Sequence, residues 1–414
     1  MNEPKLRFKA DDGGKFPDWE EKSFEQTFSN LNNSTFSRDC LNYENGNVKY
    51  IHYGDILVKF GETVDVNNCI VPYVNDDLNC EKYNTLENGD VVIADTAEDE
   101  TVGKVVEISE TDSQKTISGL HTIACRPKEK FASKYLGYFM NSDTYHNQLR
   151  PYMQGIKVTS ISKANIKLTS ISIPSLTEQQ KIAEFLSTID TVIEKQKETV
   201  SAWEERKKGV MQKLFSQEVR FKADDGSEFP EWEEKKLNEV GDIVTGNTPS
   251  TKQNDYYGEC YLWVTPTDIT DSREVTSTAK MLTELGYTVA RHIPANSILV
   301  TCIASIGKNA ILRENGSCNQ QINSITPYDE YSVEFVYYLI CQNEKLLHAN
   351  AGTGGMEILN KENFSKIKMY FPCLEEQRKI ADCLSSLDDV IEKQKATLAA
   401  WEELKKGLLQ QMFV

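Results

Sequence analysis

The sequence predicts an α+β protein: two mixed α/β domains joined by two long antiparallel coiled-coil helices, in a cyclic arrangement with pseudo-two-fold symmetry. Three observations predict it. Arg7-Phe8-Lys9-Ala10-Asp11-Asp12-Gly13 and Phe16-Pro17-Asp18-Trp19-Glu20-Glu21-Lys22 return 213 positions later, from Arg7 to Arg220, as Arg220–Gly226 and Phe229-Pro230-Glu231-Trp232-Glu233-Glu234-Lys235. Glu178-Gln179-Gln180-Lys181-Ile182-Ala183 through Val192-Ile193-Glu194-Lys195-Gln196-Lys197 returns 198 positions later, from Ile182 to Ile380, as Glu376–Ala381 through Val390–Lys395. Long and dissimilar sequence separates each pair of blocks, so one scaffold carries two different contents.

The boundaries follow from the blocks: a first domain over 1–173, a long helix over 174–216, a second domain over 217–371 and a second long helix over 372–414. The 414 residues suffice for two ordinary cores. A hydrophobic content of 39% with 26% charged residues describes a globular chain. No apolar run approaches the roughly 20 residues that cross a bilayer, and Met1-Asn2-Glu3-Pro4-Lys5 carries no signal-peptide pattern. A cytoplasmic protein is expected. Its ten cysteines are scattered without a Cys-x-x-Cys pair, which points to reduced thiols and away from a zinc site.

A net charge of −17 argues against phosphate contacts over the whole surface. The distribution is uneven, however. Between Asp76 and Asp112 only Lys82 and Lys104 oppose a run of acids, whereas Arg150 to Pro174 holds Arg150, Lys157, Lys163 and Lys167 with no acid. A local basic stretch can bind DNA on an acidic chain.

In the first helical block Ile182, Leu186, Ile189, Ile193, Gln196, Val200 and Trp203 recur at steps of four and three. The pattern skips a polar position at Lys207 and resumes at Val210 and Leu214. Ile380, Leu384, Leu387, Ile391, Gln394, Leu398, Trp401, Lys405, Leu408 and Met412 repeat it. Such spacing over more than four heptads is a coiled-coil seam. Pro174 and Pro372 sharpen the two starts, and Glu178, Glu375 and Glu376 suit the positive end of a helix dipole. Gln196 and Gln394 are expected to face each other in an antiparallel pair and fix its register. A helix from Glu178 to Phe215 is about 55–60 Å long, on the order of 15 base pairs of duplex. Gln411-Met412-Phe413 matches Lys213-Leu214-Phe215, which runs on into Arg220-Phe221-Lys222, so the two chain ends are expected to meet.

Between the frame pieces, Asp55–Phe60, Asp90–Ala94 and Ser297–Thr301 follow turn residues and read as strands. Lys134–Met140 and Glu334–Ile340 read as late helices. Trp19 and Trp232 are expected to anchor each domain to the frame.

Several chemistries find no motif. There is no Asn/Asp-Pro-Pro-Tyr/Phe methyltransferase loop and no Walker phosphate loop at Gly307-Lys308. His52, His121, His146, His292 and His348 lack metal-ligand spacing. Gly352-Thr353-Gly354-Gly355 reads as a flexible loop near a ligand or as a plain turn. Pro17-Asp18 with Glu20-Glu21-Lys22 only superficially matches a nuclease site, since its carboxylates are too close in sequence to come from separate strands.

Two Phe-Pro-x-Trp-Glu segments, two variable domains and two Glu-Gln-x-Lys-Ile-Ala…Ile-Glu-Lys-Gln-Lys helices together resemble the specificity subunit of Type I restriction–modification systems. Gly246-Asn247-Thr248-Pro249-Ser250-Thr251, Trp263-Val264-Thr265-Pro266-Thr267-Asp268-Ile269 and Gly307-Lys308 look like the target recognition domain of that family. The first domain lacks the Asn-Thr-Pro-Ser start and the Trp-Val-Thr-Pro run. The resemblance implies a non-catalytic subunit whose domains each read half of a split, asymmetric site in double-stranded DNA, held at a fixed spacing by the helices. It implies no cofactor on this chain. S-adenosylmethionine is implied on two partner modification (methyltransferase) subunits, and ATP and Mg on restriction subunits where these are present.

DNA-facing residues are chosen on chemistry, as donors and acceptors suited to base edges and phosphates. They are Lys157, Thr159, Ser160 and Lys163 in the first domain. In the second they are Asn247, Thr248, Thr265, Thr267, Lys308, Gln320, Gln321 and Thr353. The alternative is a coiled-coil adaptor whose variable domains bind protein, a reading that the net acidity favours.

Overall fold

The computed structural model of the chain describes residues 3–76, 78–111, 114–155, 157–352 and 357–413. It divides into two compact units, Met1–Lys197 with Ala396–Val414, and Glu198–Lys395. Both divisions fall inside the long helices, Leu176–Phe215 and Leu374–Met412. Each unit therefore holds one variable domain and a piece of each helix.

In the first unit the central sheet has five strands in the order Phe28–Asn30, Thr122–Pro127, Val91–Ala94, Val105–Glu110, Thr63–Asp65. All neighbours are antiparallel except the last pair. A four-stranded sheet has Lys115–Ser118, Val48–Ile51, Tyr73–Val74 and Leu41–Asn42 side by side, the first pair parallel. The second unit repeats both orders. Its five strands run Gly241–Thr245, Ile322–Pro327, Ser297–Thr301, Asn309–Leu312, Glu274–Val275, and its four run Tyr257–Gly258, Met281–Leu282, Tyr261–Val264, Gly316–Cys318. The same pairs are again parallel. Dissimilar sequences thus build one topology twice.

Both faces of each five-stranded sheet are buried, which is why its inner strands read as continuous apolar runs. In the first unit Val91, Ile93, Val105 and Ile123 pack on Tyr135, Leu136 and Phe139, and beyond these on Ile182 and Leu186 of one long helix and Met412 of the other. Val92, Ala94, Val106 and Ile108 face the opposite way, against Ile51, Ile56 and Val64. In the second unit Ile298, Val300, Ile311 and Ile325 pack on Phe335, Tyr338, Leu214, Ile380 and Leu384.

The strands expected at Asp90–Ala94 and Ser297–Thr301 form at Val91–Ala94 and Ser297–Thr301, and the late helices at Tyr135–Met140 and Val333–Gln342. Asp55–Phe60 is a correction. Its first four residues lie in a helix, Tyr53–Val58, despite their β-branched members. The His52 Nδ1 accepts the Gly54 N–H at 3.0 Å and starts the turn. Asp55 then pairs with Arg38 at 2.9 Å and with Lys59, one turn on, at 3.1 Å. Local capping outweighs strand propensity here, and the alternation that a half-buried strand needs is absent, since Val58 is 85% exposed.

The repeated blocks meet as pairs. Glu20–Ser23 is antiparallel to Ser170–Ile173, and Glu233–Lys236 to Lys368–Phe371, so a two-stranded ribbon closes each domain beside its long helix. Arg7 makes a two-pronged bond to Glu178 at 2.8 and 3.1 Å, and Arg220 does the same to Glu376 at 3.1 and 2.8 Å. Both glutamates are fully buried. Gln179 accepts the Ala132 N–H and donates to the Pro174 carbonyl, and Gln377 does the same with Ser332 and Pro372. Trp19 packs edge-on against Phe413, and Trp232 against Phe215, as frame anchors. The Leu6 N–H donates to the Gln411 carbonyl at 2.9 Å, so the terminal segments meet.

Within each unit the helix segments run antiparallel. In the first, Lys197 faces Glu402 and Asp190 faces Lys405; in the second, Glu204 faces Lys395 and Lys207 faces Asp388. Ile182, Leu186, Ile189, Ile193 and Val200 are buried, as the seam requires, while Gln196 and Gln394 are half-buried at their seam positions. The position at Lys207 that interrupts the apolar pattern belongs to the seam after all. Lys405 donates to Asp190 and Glu62, both at 2.7 Å, with Tyr138 donating to Asp190 at 2.5 Å. Lys207 reaches Asp388 at 2.5 Å, and Tyr338 donates to the same carboxylate at 2.5 Å. Burial disfavours the Lys405 ammonium, but its two carboxylates outweigh this and raise its pKa. In each unit one lysine, one aspartate and one tyrosine tie the domain to both helices.

The first domain uses one further device. The Glu107 carboxylate is buried and accepts the N–H groups of Lys134 at 2.5 Å and Gly137 at 2.9 Å, at the start of the helix that packs on the sheet. Burial pushes its pKa up from 4.5 to about 7. The folded state therefore binds this proton more tightly than the unfolded chain. The resulting stability is fully present below about pH 4.5 and is lost as pH rises through about 7. The gap corresponds to about 3 kcal/mol. Unfolding free energies of the wild type and Glu107→Gln, compared from pH 4.5 to 8, should differ by a pH-dependent amount of this order, the wild type losing stability faster as pH rises. A constant difference contradicts the assignment.

Candidate nucleic-acid interface

Equivalent backbone hydrogen bonds bring the same loops together at one end of each domain. In the second unit Asn247 N–H bonds Cys318 O, Asn319 N–H bonds Val264 O, Cys302 N–H bonds Gln321 O, and Leu359 N–H bonds Cys302 O. In the first unit the matching bonds are Ser34 to Ser118, Gly119 to Ile51, Asp95 to His121, and Ile161 to Asp95. Gly103 and Gly307 occupy matching hairpin turns at φ +88° and +96°, a region that a residue with a Cβ enters only at a cost. The isolated bridges Gln154–Ser160 and Gly352–Ile358 also correspond.

All the residues chosen in the second domain that lie among the described residues fall on this rim. Thr248, Thr267, Lys308 and Gln320 are exposed, and Asn247, Thr265 and Gln321 are half-buried. Thr248 donates to the Gln320 side-chain oxygen at 2.5 Å. Thr265 bonds Asp268 through both its N–H and its hydroxyl, at 2.8 and 2.6 Å, and contacts the Thr267 hydroxyl at 2.9 Å. Asn247 is engaged at both ends of its amide, accepting from Arg291 N–H at 2.6 Å and donating to Val289 O at 3.1 Å. It shapes the loop that presents Thr248. The Gln321 side chain accepts from Asn319. Thr353 lies outside the described residues.

In the first domain Lys157, Thr159 and Ser160 lie within the span of the Gln154–Ser160 bridge, which matches the Gly352–Ile358 bridge. Thr159 and Ser160 pair with Ala97 and Thr96 as a short ribbon, and Lys157 is exposed beside it. Lys163 starts a helical turn and donates to Asn33 at 3.3 Å. The acid-free stretch thus does reach the rim.

Four rim residues of the first domain escape sequence reasoning: His52, Tyr53, Thr96 and His121. The Tyr53 ring meets His52 at 4.7 Å and His121 at 5.3 Å between centroids. His121 lies 3.4 Å from both Asp95 and the Thr96 hydroxyl. Burial keeps the His52 imidazole below its ordinary pKa, in agreement with its accepting role at Gly54. The offset of 213 positions between the frames places His52 on Thr265 and Thr35 on Thr248, whereas Thr96 and His121 are found only through the backbone bonds that match those of Cys302 and Gln321. Lys104 matches Lys308 in the hairpin but points inward, donating to the Leu57 and Phe60 carbonyls at 3.2 and 2.8 Å. One lysine position serves the core in one domain and the surface in the other.

The arrangement suits recognition of a polar edge more than catalysis. The second rim offers hydroxyls, amides and one exposed ammonium, and the first offers imidazoles, hydroxyls and an aromatic ring. Among the described residues no group of three or more His, Cys, Asp or Glu side chains could hold a metal ion. All ten cysteines are free of disulfides. No helix among the described residues is long and apolar enough to cross a membrane.

Comparison with known proteins agrees with the repeat. A family model described as the Type I restriction modification DNA specificity domain matches residues 17–201 and again 230–400. The chain is 33% identical over 211 residues to the MjaIX Type I restriction enzyme specificity subunit of Methanocaldococcus jannaschii, an alignment spanning 48% of each chain. It therefore spans about half the length of that relative. A putative Type I specificity subunit of the same organism, MjaX, is 24% identical across 97% of this chain and 94% of its own. Among solved structures, the Type I S subunit from M. genitalium shares the fold with a TM-score of 0.55, at 14% identity, over 100% of this chain and 99% of that one.

Proposed function

Because this chain belongs to the Type I restriction modification DNA specificity family, we propose that it is the DNA-recognition subunit of a Type I restriction–modification complex. Each domain reads one half of a bipartite, asymmetric site through its loop rim. The long helices set the spacing between the halves and dock two modification subunits. The observation that carries the reading is one topology built twice with chemically different rims, joined by a repeated frame.

The chain itself performs no chemistry in this reading. S-adenosylmethionine belongs to the modification subunits, and ATP and Mg to restriction subunits where a system has them. The complex works on double-stranded DNA in the cytoplasm. Asn247, Thr248, Gln320, Thr265, Thr267, Gln321 and Thr353 would meet bases or phosphates in one half-site, with Lys308 on a phosphate. Lys157, Thr159, Ser160 and Lys163 take the corresponding places in the other. The test is to co-express the chain with a modification subunit and map methylated adenines in the host DNA. Methylation confined to one split sequence supports the reading, and its absence from an assembled complex contradicts it.

A further inference from the structure

The first rim carries a groove lined in part by exposed apolar side chains. Tyr53, Leu57, Val58 and Val158 line a cavity of about 360 Å³ together with Glu98 and Asp99. Val58 is 85% exposed and Val158 is 52% exposed. The groove is continuous with the proposed DNA-facing ribbon, since Thr96 and Ala97 line it and pair with Ser160 and Thr159. Among the described residues no lysine or arginine lines it.

We propose that this groove reads the thymine methyl of an A·T pair in the major groove. The inference rests on the DNA-recognition reading and names a base within it. A groove that holds two carboxylates and no cation repels phosphate, so whatever part of a duplex enters it must be a base edge. Carboxylates accept N–H groups, which the adenine N6 and cytosine N4 amines supply in the major groove. Exposed valines make favourable contact only with an apolar group, and among the four bases only thymine presents one there, its C5-methyl. An A·T pair presents the N6 amine and the methyl on one major-groove edge, with the thymine O4 between them, whereas a G·C pair offers an amine without the methyl. The first half-site is therefore recognised through an apolar contact in addition to hydrogen bonds.

Deoxyuridine, which lacks only this methyl, is the probe. Duplexes carrying the mapped site are made with deoxyuridine in place of every thymidine, in one half at a time, and titrated with the assembled complex. Each contacted methyl is worth about fourfold in affinity. The expected result is a loss of about fourfold or more in one half only. Val58→Ala with Val158→Ala, at exposed positions that tolerate truncation, should weaken binding to the thymine duplex by a similar factor and bind both duplexes equally. Equal binding of both duplexes by the wild type overturns the proposal, as does discrimination that survives in the double variant. A wild-type complex with no sequence preference at all overturns the DNA-recognition reading instead, and this inference with it.

Discussion

Arg7→Ala is expected to lower the stability of the first unit by about 3–5 kcal/mol, the range for removing one partner of a buried ion pair. The reason is geometric. Glu178 is fully buried and both its oxygens are held by the Arg7 guanidinium, which is itself only 12% exposed. Without the arginine a carboxylate is left in the junction between domain and helix with no cation. Arg7 also bonds the Pro17 carbonyl, so its loss frees the lead-in segment. Arg7→Lys recovers only part of the loss, because an ammonium cannot make the planar two-pronged bond. Arg220→Ala acts in the same way on the second unit through Glu376. The two effects should add, since the pairs share no partner. Urea denaturation of the two single variants and the double variant, followed by circular dichroism, measures all three. An unchanged midpoint for Arg7→Ala contradicts the role given to the pair.

The second large effect concerns recognition. Thr248 and Gln320 come from separate loops and meet at the exposed centre of the second rim. The hydrogen bond fixes the glutamine oxygen on an exposed side chain. Loss of such a side chain is expected to cost about 1–3 kcal/mol of discrimination at one base pair. Gln320→Ala should therefore relax the sequence requirement at one position of one half-site and leave the other half unchanged. Lys308→Ala should behave differently. An exposed ammonium on a phosphate weakens binding to all sequences alike and lowers the salt dependence by about one counterion. Titration of the assembled complex with single-base-pair variants of the site at two salt concentrations separates the two. Equal effects of Gln320→Ala on both halves contradict the assignment of one domain to each half.

The frame was legible from sequence because it is written twice and because a heptad seam has a period. The antiparallel pairing, the two domains and the meeting of the ends all follow from those facts. The partners inside the frame were not legible. Arg7 and Glu178 both lie in repeated blocks, but 171 residues separate them, and local spacing carries no sign of the contact. Lys207 looked like a break in the seam because an ion pair in a coiled coil has no apolar signature. The helix at Tyr53–Val58 was misread as a strand for a related reason. Its stability comes from His52, Arg38 and Lys59, whereas its own residues favour the strand. Most of the first rim is hidden because variable domains diverge where they read, and only backbone correspondence with the second domain locates Thr96 and His121.

The map of methylated adenines in cells expressing the chain with its modification subunit decides whether one scaffold holds two different readers. The account predicts one split sequence with two dissimilar halves at a fixed spacing, in which Gln320→Ala degrades one half and Val58→Ala with Val158→Ala the other. A palindromic or continuous site contradicts it, and so does any variant in one rim that alters both halves.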